Sequence, residues 1–397
     1  MLTGGLKVKR YACAVLALTL LPAFVFGMPM PTKVGALAGN DARSMGMGGS
    51  SLVFSSGYDS FFGNPAGFAD KGTLTLGDVS VWGNAPLAEE TLNSMFAIQE
   101  KYANETRRDE MMDGMLEDNG RLGVGASIGL GWAGGGFGLG LTMISDLALS
   151  GSSYAESRLV LRNQLNATVG FGIPIRLGFV TIRAGADLRG FYRLDSPASS
   201  GWDAYSLVNA AMGYSDNLDS LIDARRLMGG FGWAFDAGIS LRAGPFMAGF
   251  MGRDLFARLN MDIADIGDMR AGGGLPTEPR YGFSIDPTYT AGVGLRFMEK
   301  GLFSPSLYAQ ASDLGGLMST FKSEADMDSL LGFLRAGAEL RLLRIFLFRG
   351  GLDGGLLSFG AGIDLALIRV DAAVYTVPFE GLAGGSSGLA VRAAVKL

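Results

Sequence analysis

Residues 334–342 read LRAGAELRL. Leu334, Ala336, Ala338, Leu340 and Leu342 fall on one side of an extended chain, while Arg335, Gly337, Glu339 and Arg341 fall on the other, because successive side chains of a strand point to opposite faces. One face is wholly apolar and the other carries charges of both signs. The pattern recurs along the chain. IRAGADLR, from Ile182, puts Arg183, Asp187 and Arg189 on one side. WAFDAGISLR sets Trp233, Phe235, Ala237, Ile239 and Leu241 against Asp236, Ser240 and Arg242, and LIRVDAAVYT places Arg369 and Asp371 together on one face. A soluble β-sandwich also alternates, but here the apolar face is a mix of Ala, Leu, Ile and Phe and the opposite face is charged.

The composition narrows the choice. Mean hydropathy is +0.27 and there are 62 glycines, yet beyond the N-terminus no unbroken apolar run reaches the ~18 residues of a spanning helix. In lipid every backbone polar group must be paired internally, which leaves helices or a closed β-barrel. Fourteen strands are predicted, near residues 73–82, 122–131, 136–149, 158–173, 176–193, 229–243, 245–258, 286–297, 304–313, 333–343, 345–353, 356–365, 366–376 and 388–396. Connections after the even-numbered strands are short, as in WAGGG, IPI, AGP and LR; long ones follow only strands one, five, seven and nine. Outer-membrane barrels have an even strand number, short periplasmic turns and long external loops. The fold class expected is therefore an all-β, fourteen-stranded antiparallel outer-membrane barrel.

Lys7, Lys9 and Arg10 followed by YACAVLALTLLPAFVFG have the form of a secretory signal peptide, with small Val25 and Gly27 at the cleavage site. Residues 1–27 are expected to leave, taking the single cysteine, Cys13, and moving the net charge from −5 to −8. The mature chain then has no thiol. The sequence contains no histidine, so the commonest general base and metal ligand are absent. No catalytic residue, metal site or cofactor is assigned, and an acidic chain with scattered charge is not a nucleic-acid binder. Gly129-Leu130-Gly131-Trp132-Ala133-Gly134 spells GxGxxG, but at a strand end before a short turn, without the following helix that dinucleotide binding needs.

Inward-facing Arg, Asp and Glu are expected to pair across the lumen and brace the wall, since buried charges persist when paired; some of them could instead line a conduit. Trp82, Trp132, Tyr192 and Phe297 fall near strand ends, where interfacial girdle residues sit. Leu87–Leu116 and Tyr205–Met228 read as broken amphipathic helices with methionine-rich faces. They either cap the barrel mouth or form an adaptable docking site for greasy molecules, with Met212 and Leu221 as candidates. Asn260–Ser284 reads as a less regular loop.

Ahead of the barrel, residues 46–67 read GMGGSSLVFSSGYDSFFGNPAG. A barrel of this size needs lumen filling or becomes a water channel. Residues 28–72 are expected to be a hatch, with 73–397 the barrel. Gly46, Gly48 and Gly49 permit tight packing on the wall, and Asn64-Pro65 sets a rigid turn. The wider stretch, ARSMGMGGSSLVFSSGYDSFFGNPAGFA, resembles the N-terminal signature of FadL-like outer-membrane transporters of long-chain fatty acids and other hydrophobic compounds, and of related PorV-type and spirochaete barrels. The matching positions are Arg43, Gly46, Met47, Gly48 and Gly49, then Asn64, Pro65, Ala66 and Gly67.

The resemblance implies a monomeric barrel in the bacterial outer membrane, contacting membrane lipid and plugged by a hatch that carries the Asn-Pro-Ala motif. It implies passive uptake: a hydrophobic ligand such as a long-chain fatty acid passes from an external greasy site to a pocket beside the hatch, whose shift opens a path. The predicted lumen faces depart from this by their charge, and strand residues alone assemble no apolar pocket. Phe61, Phe62 and Phe68 are the local candidates for ligand contact, or else for packing against the wall. Two alternatives stay open: a PorV-like shuttle that receives secreted proteins, and a structural barrel or adhesin working through loops 83–121 and 194–228.

Overall fold

The structure, a computed structural model, describes residues 32–37, 39, 41–49, 52–85, 121–151, 153–197, 202–211, 218–298, 301–322, 327–379 and 382–397, with residues 109, 110, 113 and 116 of the first long connection. The expected signal peptide, Met212 and most of the 87–116 helical prediction lie outside the described residues.

Fourteen antiparallel strands form a closed ring. In chain order they are β1 (Thr73–Ala85), β2 (Arg121–Gly134), β3 (Phe137–Ser150), β4 (Arg158–Leu177), β5 (Val180–Asp195), β6 (Arg226–Ala243), β7 (Phe246–Asp265), β8 (Thr288–Arg296), β9 (Phe303–Ala311), β10 (Leu334–Leu342), β11 (Phe346–Asp353), β12 (Leu356–Asp364), β13 (Ile368–Phe379) and β14 (Leu382–Lys396). Each pairs with the next. The ring closes where β14 returns to β1, with Ser387 opposite Ala85 and Val395 opposite Gly77. Shorter strand pieces at 32–33, 202–203 and 281–284 do not complete the ring. Closure pairs the wall's backbone groups without leaving an edge, which lets strands cross lipid.

The outer surface is the apolar face of the alternation. Val124, Ile128, Leu139, Leu141, Phe171, Phe359, Leu389 and Val391 are all exposed, and together they make the greasy belt of an outer-membrane barrel. The end bearing Thr73, Lys396 and the short turns is the inner, periplasmic end, and the long connections lie at the outer end. Helices α2 (Ala204–Ala211) and α3 (Leu218–Asp223) form in the second long connection as its apolar spacing predicts.

Three expectations change. IPI is not a turn: β4 runs through it to Leu177 and the chain reverses at Gly178-Phe179, with Pro174 paired opposite Arg183. Trp82 is not a girdle residue: it points inward and is 4% exposed, because Asp78, Ser80 and Trp82 share the buried phase of β1. Position near a strand end says nothing about phase. The loop expected over 260–284 is partly strand and helix, since β7 runs on to Asp265, a helical turn follows, and Tyr281–Ser284 pairs back onto Arg258–Met261.

The segment before β1 sits inside the ring. Helix α1 (Ala42–Gly46) packs on β11–β14, the 3-10 turn Leu52–Phe54 on β7 and β8, the turn Gly57–Phe61 on β1 and β2, and the turn Pro65–Ala69 on β2–β6. Contacts this far round the wall require a central position. Close approach depends on facing glycines. A Cβ on Gly46 would stand 2.8 Å from the Gly360 Cα, and one on Gly48, whose φ is +76°, would stand 2.5 Å from the Leu352 backbone. From the wall side, a Cβ on Gly337 or Gly351 would overlap the Met47 backbone.

Gly351→Val therefore drives a side chain into Met47, whereas the adjacent Gly350 faces away with its nearest neighbour 3.8 Å off. In denaturant unfolding of the refolded barrel, Gly351→Val is expected to cost about 1–3 kcal/mol, the usual penalty of overpacking. Gly350→Val is expected to unfold like the parent chain.

Candidate functional site

The candidate site is the filled lumen, and a chain of buried charges holds it together. Asp41 caps α1, its Oδ1 accepting from the Arg43 and Ser44 backbone N–H groups at 2.9 and 3.1 Å. The cap turns Arg43 toward the wall. There its Nη1 meets Asp59 Oδ2 at 2.8 Å and its Nε meets Glu339 Oε2 of β10 at 3.3 Å. On one side the chain continues through Arg392 of β14, 2.7 Å from both Asp59 and Asp78 and 3.1 Å from Asp41. On the other side Arg349 of β11 lies 2.8 Å from Glu339 and 2.8 Å from Asp371, which Arg369 reaches at 2.7 Å. Positive and negative groups alternate from Asp78 to Arg369. The expected cross-lumen bracing is thus present, and two members of the chain, Arg43 and Asp59, belong to the N-terminal segment.

Burial by itself would raise the pKa of the Asp59 carboxyl, but the guanidiniums of Arg392 and Arg43 outweigh it and hold Asp59 well below the usual carboxylate range. The same pairing works in reverse on Arg43, whose pKa burial would lower but Glu339 and Asp59 raise. The proton is bound more readily by the unfolded chain, so the stabilisation from Asp59 is complete above its unfolded pKa and disappears as pH falls through the folded one.

Around Asn64 the segment is fastened differently. Asn64 Oδ1 accepts from the Ala66 N–H at 3.0 Å, Pro65 opens the 3-10 turn, and Asn64 Nδ2 donates to the Ile239 carbonyl of β6 at 3.2 Å. Gly67 is needed at its position because a Cβ would overlap Ser60 Oγ and stand 2.7 Å from the Ser55 carbonyl oxygen. Nearby, Arg253 Nη1 donates to the Phe62 carbonyl. Beside Arg253 the β6–β7 ladder slips twice, between Trp233 and Phe235 and again between Phe235 and Ala237, and Asp254 and Phe256 take φ of +55° and +56°. These bulges turn Asp254 inward, onto Arg189.

Phe61 and Phe68 sit against the glycine wall. Phe61 is 4% exposed and lies over Gly131 and Gly140; Phe68 is wholly buried over Gly138, Gly170 and Gly172. Missing side chains on β2, β3 and β4 leave the space these rings occupy. Phe62 differs: it is half-buried and packs toward the apolar residues above it. Leu221 lies in α3 of the outer connection, half-buried and apart from the Phe61–Phe68 group.

Sequence reasoning missed an apolar upper lumen. Leu37, Trp82, Ile144 and Tyr375 form one buried cluster, with Phe62 against it. Phe191, Leu259, Met261 and Ile285 form a second, with Val34 against it. Three of these residues lie outward of an inward charge on their own strand: Trp82 follows Asp78, Tyr375 follows Asp371, and Phe191 follows Arg189, with Arg193 and Asp195 further out still. A per-strand reading sees mixed faces; aligning the strands at a common height would have shown an apolar layer above an ionic one.

The site is the interior of an outer-membrane β-barrel in which the described part of the N-terminal segment lies against the inner wall. No family model and no curated protein sequence matches the chain. Among solved structures it is similar to the toluene transporter TodX of Pseudomonas putida, with 14% identity, TM-score 0.45, and 92% of this chain and 99% of that chain covered. It is also similar to the toluene transporter TbuX of Ralstonia pickettii, with 13% identity, TM-score 0.44, and 91% and 98% covered. A FadL homologue of Pseudomonas aeruginosa has 13% identity and TM-score 0.39, with 92% and 99% covered.

Removing Arg392 leaves Asp59 and Asp78 without their shared cation, so Arg392→Ala is expected to lower unfolding free energy by about 3–5 kcal/mol, as for other broken buried pairs. In a pH series, parent stability is expected to hold down to about pH 4, the unfolded carboxylate value, and then to fall. Asp59→Asn should start lower and show a smaller acid-induced drop.

Proposed function

We propose that this barrel is a passive outer-membrane channel for the uptake of hydrophobic small molecules, with long-chain fatty acids as its cargo. The observation that supports it is the apolar layer in the outer part of the lumen. Phe62 of the N-terminal segment and Leu37, Trp82, Ile144 and Tyr375 meet there, and Phe191, Leu259 and Met261 form a second group on β5 and β7. A wall needs an apolar outer face to sit in lipid; it does not need an apolar inner one. Greasy residues facing the lumen favour a greasy occupant, because burying alkyl surface there stabilises it by about 25 cal/mol per Å². No energy source operates in the path itself, so flux follows the ligand's concentration gradient.

In this reading residues 28–72 act as the hatch. Its fastening is uneven. Arg43 and Asp59 are held by buried ion pairs, whereas Phe62 is held by its carbonyl on Arg253 and by apolar contact of its ring. Movement at Phe62 is the cheaper opening, and ligand binding there would compete with its packing. The outer connections add a greasy approach, since Leu116, Leu149, Tyr154 and Ala204 cluster over the mouth with Tyr205 and Val208 against them.

Equilibrium binding of a radiolabelled long-chain fatty acid to the refolded mature chain tests the proposal, with toluene as a second probe. Saturable fatty-acid binding is expected, weakened about tenfold by Phe62→Ala or Leu259→Ala, each of which removes roughly one apolar contact's worth of transfer energy. Preference for toluene would shift the cargo class. Absence of binding by both probes would overturn the channel reading in favour of a closed structural barrel or a protein-binding one.

A further inference from the structure

Beneath the N-terminal segment, at the inner end of the lumen, lies a cavity of 470 Å³ that the channel reading leaves unused. Its roof is the stretch from Val53 to Asp59, and its sides are the inner ends of the strands. Nine basic and five acidic side chains line it. Three of the acids, Asp59, Asp78 and Glu339, are engaged in the ion-pair chain above. Six strands each bring one basic residue to the cavity's sides: Arg183 of β5, Arg242 of β6, Arg296 of β8, Arg341 of β10, Arg369 of β13, which also ends the ion-pair chain on Asp371, and Lys396 of β14; Lys71 of the N-terminal segment lines it too.

The six form a ring because each occupies the inward phase of its strand close to the inner turn. Two acids share this level. Asp70 pairs with Arg183 at 2.9 Å, and Asp364 is shared between Lys396 at 2.8 Å and Arg341 at 3.9 Å. Arg296 lies with its guanidinium 4.5 Å from the centre of the Phe54 ring, which holds it beneath the roof. Ser304, Ser306, Thr73 and Thr75 supply hydroxyls between the charges. Rings of Arg and Lys in a pore select anions, and guanidinium forks suit the two oxygens of a carboxylate or phosphate.

We infer that this inner cavity is an oxyanion-binding site, taking a carboxylate or phosphate group, with the ring of basic side chains, Arg242 and Arg296 among them, as its contacts. The assignment stands on the cavity rather than on the channel reading. The oxyanion has two possible sources. It is either the acid head of an amphiphile arriving from above or a water-soluble anion of the periplasm entering from below. The chemistry at the ring is the same for both.

Three radiolabelled probes separate the outcomes on the refolded, signal-free chain: decanoate, decanol and citrate. Citrate binding, decanoate binding, or both, is expected to be saturable and salt-sensitive. Arg242→Gln/Arg296→Gln is expected to weaken it about tenfold or more, the loss of two charge-assisted contacts, and Arg242→Lys/Arg296→Lys to keep most of it. Arg226→Gln, at the outer mouth, is the matched control and should change nothing. If citrate binds, the source is a free anion; if decanoate alone binds, it is the head of an amphiphile. Equal binding of decanoate and decanol without citrate binding would overturn the site while leaving the channel reading intact. Citrate binding without decanoate or decanol binding would support the site and count against the channel. A Gln pair that folds and binds citrate and decanoate like the parent would also overturn it.

Discussion

A ring of fourteen strands encloses more space than its own inward side chains can fill, and everything inside this barrel follows from that. Eight strands leave an interior that side chains just occupy; larger rings hold a channel or a plug. Here the N-terminal segment takes the space, and wall and filling are shaped for each other. Glycines on β2–β4 receive Phe61 and Phe68, and glycines on β10–β12 admit the backbone from Gly46 to Gly48. The high glycine content reflects this contact as much as any turn. Most of these glycines lie mid-strand, where an inward side chain would otherwise stand.

The filling is held by charge as well as by shape. Buried ions cost several kcal/mol each unless well paired, so a chain of alternating Arg and carboxylate groups stabilises the fold only while complete. Arg349 illustrates the condition: its side chain is fully buried, with Glu339 and Asp371 on either side. Arg43 and Asp59 insert the N-terminal segment into this sequence of pairs, so the wall on this side is incomplete without its filling. On β6 and β7 the segment is fastened instead by hydrogen bonds, from Asn64 to the Ile239 carbonyl and from Arg253 to the Phe62 carbonyl, beside the double bulge of β7, whose Asp254 and Phe256 backbone lies in a less favourable region. The two fastenings differ in what it would take to move them.

Along its axis the lumen is basic at the inner end, ionic at the level of Arg43 and apolar at the level of Trp82 and Tyr375, and it is charged again further out, where Arg193 pairs with Asp195. Such layering is efficient in a barrel because antiparallel neighbours run in opposite directions, and residues of very different sequence position meet at one height. Trp82 of β1 and Tyr375 of β13 share a cluster although they stand near opposite ends of the barrel sequence.

The linear chain by itself determined the barrel, its strand count and its inside–outside assignment, because a period of two is written locally and lipid tolerates only one way of satisfying strand backbones. LRAGAELRL and IRAGADLR show which residues face inward without any knowledge of their neighbours, and the Asn64–Gly67 turn is likewise a local matter of a capping side chain and a proline. Only the tertiary structure decided what the inward residues do. Whether Arg392 braces the wall or binds a ligand depends on Asp59, Asp78 and Asp41 arriving from three other places in the chain. Whether Trp82 is a girdle or a lumen residue depends on the phase and height of β1 against its partners. Height in the barrel is set by the register of all fourteen strands together. No single segment carries that information, so the apolar layer and the basic ring emerged only when the ring was closed.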